Sequence, residues 1–245
     1  MNDIEYELAD VYIERPNDFK VGRKSFKLYP VTLAKMFLLK RQFDGLSLNM
    51  GLFGVNPFVE CLRVAKTERE VCCNILAYHT APNSYKELFN TRAITIRKNF
   101  FVKNLSDEEL ASFMVHIITS EKTDKYIQHL GLDKERERLN KVMEVKRKHD
   151  KNSLSFNGLS LFGTFIGQLK EMGYSDNEIL YEKSYTFLRL MLADKVVTVM
   201  LTDEERQEIN TEYGGTLIDA NNPANVGKIT EFLAKKGISI DKIEK

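Results

Sequence analysis

The sequence has little cysteine, little proline and no long apolar run. Its three cysteines form no Cys-x-x-Cys pair, which argues against a disulfide scaffold and against a zinc module. Five prolines and 13 glycines are too few for a long disordered chain. No apolar segment approaches the roughly 18 residues that a membrane helix needs, and the acidic N-terminus is unlike a secretory signal. We therefore expect a cytoplasmic protein without a membrane partner.

An excess of charge of one sign is also lacking. The 245 residues include 36 basic and 35 acidic side chains, so the net charge of +1 indicates no class of partner. Motifs for catalysis or cofactor binding, such as Gly-x-Ser-x-Gly, His-Glu-x-x-His or a phosphate-binding loop, are missing. Cys72 and Cys73 are adjacent on a predicted helix, which favours buried structural cysteines over a metal site. We therefore expect no enzyme activity, no cofactor and no metal, with an enzyme whose site has no familiar motif as a further alternative.

Helix-start signals recur along the chain. A capping box places Glu three residues after Ser or Thr, and each side chain then satisfies a free amide of the first turn. Five pairs have this spacing: Thr67/Glu70, Ser84/Glu87, Ser106/Glu109, Ser175/Glu178 and Thr202/Glu205. We therefore predict a mainly α fold, a helical bundle with over half of its residues in helices.

A small N-terminal β-hairpin is the predicted exception to this helical fold. Gly22-Arg23 suits a type II′ turn, because glycine tolerates the positive φ of the first central position. The resulting register places Phe19 opposite Phe26, an apolar pair that favours the pairing. Asp18 then lies opposite Lys27, and these opposite charges favour the same register.

A polar, small-residue stretch at 151–158 is the best candidate for a domain boundary. Residues 1–150 carry 25 basic and 21 acidic groups, whereas residues 151–245 carry 11 and 14. The sign of the net charge therefore changes at this point. We predict an N-terminal domain of β-hairpin and helices at 1–150 and a C-terminal helical domain at 151–245.

A charged helix over 134–151 suggests nucleic-acid binding as an alternative function. Lys146, Arg147 and Lys148 near its end could neutralise phosphates. Acidic residues dilute this positive charge and allow ion pairs within the helix. A solvated helix face is therefore the competing interpretation, and nucleic acid is the less favoured partner.

Aromatic residues crowd the short predicted helices between 159 and 188. Four of them are our predicted partner-binding residues: Phe162, Phe165, Tyr181 and Tyr185. Such residues most often form a core, but aromatic anchors are also typical of protein–protein interfaces. The spacing Gly163-x-x-x-Gly167 allows a close helix contact in the same region.

Two stretches of the chain carry a family resemblance. One is Phe19–Leu33, a hairpin that leads into a helix, and the other is Leu159–Leu192, where Gly173-Tyr174 precedes two short helices. Together they cover about 50 of the 245 residues. They resemble the tail assembly chaperones of tailed bacteriophages.

This resemblance implies a non-enzymatic role in virion assembly. The protein would bind an aggregation-prone tail or other virion protein and shield its apolar segments in a helical groove. It would act in the host cytoplasm, and the resemblance does not decide whether it is also part of the finished virion. The resemblance supplies no catalytic residues, and it leaves homo-oligomerisation open.

Overall fold

The structure, a computed structural model, describes residues 3–149, 160 and 162–213. Helices account for about 70% of these residues, and the described sheet is a two-stranded hairpin. The prediction of a mainly α fold with a small N-terminal hairpin is therefore confirmed. In chain order, the helices are α1 (Asp3–Tyr12), α2 (Leu33–Phe43), α3 (Met50–Val55), α4 (Pro57–Thr67), α5 (Arg69–His79), α6 (Tyr85–Leu88), α7 (Thr91–Asn104), α8 (Asp107–Thr119), α9 (Thr123–His129), α10 (Leu132–His149), α11 (Gly167–Glu171), α12 (Tyr185–Ala193) and α13 (Asp203–Tyr213). A first π-helical turn, Phe162–Ile166, leads into α11, and a second, Glu178–Glu182, precedes α12.

The hairpin has the predicted register. Strand β1 (Asn17–Val21) pairs antiparallel with β2 (Lys24–Leu28), and Phe19 lies opposite Phe26. Their ring centroids are 5.7 Å apart and the rings are stacked. Gly22 has a φ of +58°, as the first central position of this turn requires.

Side-chain caps start several helices as predicted. Ser106 and Glu109 form a reciprocal capping box at the start of α8. The predicted pairs that begin at Ser84, Ser175 and Thr202 also form hydrogen bonds at helix starts. The capping box predicted for Thr67 and Glu70 is wrong, because Thr67 ends α4 and its hydroxyl donates to the carbonyl of Arg63.

The described residues divide into two compact units. Unit 1 contains the described residues up to 133 and those from 160 to 195, and unit 2 contains those from 134 to 149 and from 196 to 213. The boundary that we predicted between 1–150 and 151–245 stays a prediction, because residues 150–159 lie outside the described part.

Unit 1 holds two apolar clusters. The main core forms where α4 packs against α8 and α5 packs against α7. Its fully buried side chains include Leu76, Phe101, Leu110 and Met114. The second core joins α2 to α11, to the second π-helical turn and to α12 through Leu33, Leu169, Ile179, Phe187 and Leu188.

All three cysteines are free and buried in the main core. Burial raises the pKa of Cys61 and Cys73 to about 11 and that of Cys72 to about 12. They are therefore protonated at neutral pH, and the interpretation as buried structural cysteines is confirmed. In the described part of the chain, no group of three or more His, Cys, Asp or Glu side chains could hold a metal ion. None of the described helices has both the length and the apolarity to cross a membrane.

Candidate protein-binding surface

Two of the four predicted anchors lie together. The ring centroids of Phe165 and Tyr185 are 5.5 Å apart. Both side chains are half-buried and pack against the second core. They therefore combine core packing with partial exposure to solvent. Phe162 belongs to the first π-helical turn, but its side chain lies outside the described part.

The remaining anchor, Tyr181, joins a separate group of rings that we name the aromatic cluster: Tyr85, Phe89 and Tyr181. The ring of Tyr181 stands perpendicular to that of Tyr85, at a centroid distance of 6.0 Å. Tyr85 also contacts Phe89, at 4.9 Å between centroids. Because Tyr85 and Phe89 are exposed, the aromatic cluster reaches the surface, unlike a closed core.

Among the described residues, the largest run of exposed apolar side chains lies elsewhere, on α3 and the start of α4. We name it the α3–α4 surface, and its residues are Met50, Leu52, Val55, Phe58 and Val59. Val55 is 85% exposed and Met50 is 68% exposed. The segment 45–59 contains no charged residue, although 29% of the chain is charged. This lack of charge is a signal for the surface that is present in the sequence alone.

The helix starts within this surface are capped by asparagines. The side chain of Asn49 accepts hydrogen bonds from the backbone N of Gly51 and of Leu52, at 3.0 and 3.1 Å. Asn56 caps α4 in the same way, and Pro57 occupies the first helical position, where no hydrogen bond is lost. These caps fix the short helix α3 in place although it is too short to be stable alone.

A buried carboxylate, that of Glu60, holds the residue that caps α3. Glu60 is 1% exposed, and its Oε1 accepts hydrogen bonds from the backbone N of Asn49 at 2.6 Å and from Arg63 at 2.7 Å. These hydrogen bonds, above all those from Arg63, lower the pKa of Glu60, so the carboxylate stays ionised at neutral pH. Arg63 also donates to the carbonyl of Ser47, whose N–H donates to Glu68. These hydrogen bonds fix the backbone just before α3, and with it the helix that carries the exposed apolar side chains.

The basic residues of the alternative function lie on α10 in unit 2. The Nζ of Lys146 donates to the carbonyl of Met200 at 2.5 Å, and it lies 4.0 Å from Glu205. Lys148 forms an ion pair with Glu208 at 3.2 Å. Arg147 is exposed. Two of the three predicted cations thus already face carboxylates of α13, which reduces the positive charge available to a phosphate.

Comparison with known proteins gives no guide to the function. The chain matches no protein-family model, no curated protein sequence and no solved structure. The resemblance to tail assembly chaperones therefore stays a prediction that rests on two segments of the sequence. The function has to be argued from the surface itself.

Proposed function

We propose that this protein is a non-enzymatic assembly or structural adaptor that binds another protein through helical surfaces. The observation that carries the proposal is the α3–α4 surface, with five exposed apolar side chains in a stretch without charge. Single exposed apolar side chains are normal on monomeric proteins, and five of them within ten residues of sequence favour an interaction site over that ordinary background. Removing such a patch from water upon binding is favourable because the hydrophobic effect scales with apolar area.

The absence of charged residues from the segment 45–59 indicates the chemistry of its partner. Charged residues are depleted from interface cores, and an apolar face binds an apolar face. The partner therefore contributes an apolar segment, such as one side of an amphipathic helix. Such a segment is prone to aggregate until it is covered, and covering it is what an assembly adaptor does.

The resemblance to tail assembly chaperones supports a tail or other virion protein of a tailed phage as that partner. One resembling segment includes Tyr181, and its ring belongs to the exposed aromatic cluster. Tyrosine and phenylalanine are enriched in protein–protein interfaces, and tyrosine is also enriched among binding hot spots. The aromatic cluster is thus a second contact area for the same kind of partner.

Co-expression with the product of a tape-measure-sized gene, where one lies next to the gene for this chain, tests the proposal. We expect the tagged wild-type protein to capture that partner, and Val55→Glu to weaken binding by about 2 kcal/mol or more. Val196→Glu is the matched control, because Val196 is 90% exposed and lies outside the α3–α4 surface. Equal capture by both variants would exclude the α3–α4 surface as the site. Failure of the wild-type protein to capture the partner would contradict the proposal as a whole.

Nucleic-acid binding through Lys146, Arg147 and Lys148 remains the alternative. A salt-sensitive gel shift that is lost in Arg147→Ala would favour it over the adaptor. The ion pairs of Lys146 and Lys148 with α13 argue for the opposite result.

A further inference from the structure

The β-hairpin leaves backbone groups unpaired along its outer edges. Its turn has two residues, so Val21 and Lys24 form the hydrogen-bonded pair next to the turn. The N–H and C=O groups of Ser25 and Lys27 then point away from β1. Both residues are exposed, and no described residue forms a hydrogen bond with these groups. The outer edge of β2 therefore offers donors and acceptors at the spacing of a further strand.

Strand β2 lies on α7, whereas β1 lies on α8. The ring centroid of Phe26 is 5.4 Å from that of Phe100 and 4.8 Å from that of Phe101. Phe19 of β1 instead contacts Phe113 of α8, at 4.6 Å between centroids. The outer edge of β2 is therefore on the α7 side of the hairpin. The outer edge of β1 is on the α8 side, where the first helical turn carries three acidic residues.

The α7 side of the hairpin carries an excess of positive charge. Helix α7 contains four basic residues and no acidic one. Two of the four have ion pairs with other helices, Lys98 with Glu70 at 3.1 Å and Arg97 with Glu87 at 3.8 Å. Lys103 is exposed and has no ion pair with any described residue. Positive charge therefore remains on this helix.

The hairpin adds to this charge next to Phe100. Arg23 at the turn and Lys24 at the start of β2 are exposed, and neither forms an ion pair within the described part of the chain. The Nζ of Lys24 lies 4.5 Å from the centre of the Phe100 ring. Lys103 follows Phe100 by three residues and so lies on the same face of α7. We name the outer edge of β2, together with Arg23, Lys24 and Lys103, the basic edge.

Protection against self-association does not account for the whole of the basic edge. Lysine on an edge strand, such as Lys27, repels a second copy of the same edge, although Lys27 shares its charge with Asp18 at 3.8 Å. Such protection needs charge on the strand alone, whereas the basic edge extends to Lys103 on α7. Ile96, on the same face of α7 as Phe100, is 61% exposed and offers an apolar contact as well.

The free backbone groups favour a peptide over a nucleic acid as the ligand. Acidic peptides and phosphate backbones both suit a positive surface. The free carbonyl groups of Ser25 and Lys27, however, can be paired only by a hydrogen-bond donor. A phosphodiester backbone has no donor, whereas a peptide has one N–H group per residue. An acidic peptide therefore matches both the charge and the strand edge.

We propose that the basic edge binds an extended, acidic segment of another protein, which joins β2 as the third strand of the sheet. The backbone of this segment pairs with Ser25 and Lys27, and its carboxylates lie near Arg23, Lys24 and Lys103. Pairing along a strand edge supplies affinity through the main chain, so the partner needs negative charge and an extended backbone. The basic edge and the α3–α4 surface consist of different residues, and this proposal does not depend on the function of that surface.

The test follows the backbone amide signals of Ser25 and Lys27 by NMR in the isotope-labelled full chain. The probe is a short, capped peptide of alternating Glu and Val, which we call the acidic peptide. We expect saturable shifts of both signals, and binding at least about tenfold tighter than that of a matching Lys-Val peptide, because the latter has the opposite charge. Raising the salt concentration should weaken binding, since exposed charges are screened.

Two further ligands make the result decisive. The acidic peptide with every backbone nitrogen methylated should give no saturable shift, because it cannot donate to the edge of β2. No saturable shift with the unmodified acidic peptide, or equal binding of the methylated one, would overturn the proposal. Tighter binding of oligothymidylate than of the acidic peptide at the same signals would assign the basic edge to nucleic acid, and would overturn the proposal as well.

Variants separate the charge from the strand edge. Arg23→Gln combined with Lys103→Gln should weaken binding of the acidic peptide at least about fivefold. Arg41→Gln combined with Lys86→Gln is the matched control, because these exposed cations lie outside the hairpin and α7. Ser25→Pro removes an N–H that the β1–β2 pair does not use, and it should weaken binding as well. Equal effects of the two double variants, or full binding by Ser25→Pro with a wild-type melting temperature, would refute the proposal.

Discussion

The Nζ of Lys35 donates a hydrogen bond to the backbone carbonyl of Ala81 at 2.9 Å, inside the protein and out of contact with solvent. The same ammonium lies 5.4 Å from the centre of the Tyr29 ring. Burial, helped by the charge of Arg97, lowers the pKa of Lys35 to about 7. The unfolded chain therefore holds the Lys35 proton more tightly than the folded protein does, and stability depends on pH.

The first prediction follows from Lys35. Between about pH 7 and pH 8.5, Lys35 is protonated in the unfolded chain but loses its proton in the folded protein. The free energy of unfolding should therefore rise with pH over this range, by up to about 1.4 kcal/mol per pH unit. Lys35→Met should flatten this rise in urea unfolding curves. Lys40→Met, on the same helix but exposed, should not. If the unfolding free energy of Lys35→Met rose with pH as steeply as that of the wild type, Lys35 would not be the source of the pH dependence.

The second prediction concerns His79. Its pKa of about 3 lies below the ordinary value of 6.5, so the unfolded chain binds a proton that the folded protein does not bind. Stability should therefore begin to fall as pH decreases below about 6.5, before the carboxylates with lowered pKa, whose unfolded value is 4.5, add to the loss near pH 5. The imidazole signal of His79 should stay unprotonated in NMR spectra over this range. A midpoint near 6.5 for His79 would show that the side chain reaches water.

The third prediction concerns the carboxylate below α3. Glu60→Ala leaves the N–H of Asn49 and the guanidinium of Arg63 without their acceptor, which should cost about 1–3 kcal/mol of unfolding free energy. It should also weaken partner capture, because α3 loses its support. Glu70→Ala is the control, since the ion pair of Glu70 with Lys98 is at the surface and should contribute less than about 1 kcal/mol. A wild-type melting temperature for Glu60→Ala would show that the hydrogen bonds of Glu60 do not stabilise α3.

The fourth prediction separates the aromatic anchors. Phe165→Ala should lower the free energy of unfolding by about 2 kcal/mol, less than a fully buried phenylalanine, because its ring is only half-buried against the second core. Tyr85→Ala should change stability little, because its side chain is 62% exposed, but should reduce partner capture. Melting temperature and capture are measured together for both variants and for Tyr181→Ala. Loss of stability without loss of capture at all three would leave them as ordinary packing residues.

The fifth prediction concerns the division of the chain. Trypsin should cut first between Lys146 and Asn157, where basic residues meet a polar stretch that contains small side chains. The cleavage sites are identified by mass spectrometry of the first fragments. Resistance of this stretch while other loops are cut would contradict the boundary at residue 150.

Local signals explain what could be predicted of the fold. The hairpin register follows from one glycine and two cross-strand pairs, and the start of α8 follows from Ser106 and Glu109. The sequence of 93–102 does not by itself distinguish helix from strand, because its β-branched residues suit both. The side chain of Asn90, which accepts a hydrogen bond from the N–H of Ala93, starts a helix there.

Other features depend on contacts that no local pattern encodes. Helix α12 ends at Ala193 and Val196 beyond it is exposed, although the sequence stays largely apolar as far as Leu201. Helix α1 was missed because it has no predicted cap. The lack of charge over 45–59 marks the segment that contains Val55, but periodicity does not distinguish an apolar face that packs inward from one that meets solvent.

The burial of Cys61, Cys72 and Cys73 gives the protein a convenient property for labelling. Every natural thiol of the chain is enclosed and protonated, so a maleimide reacts with the folded protein only when the main core opens. The rate of that reaction therefore reports how often the core opens. A new surface cysteine, for example Val55→Cys, would be modified first and almost alone. A fluorophore could then be placed on the α3–α4 surface without removing any native cysteine.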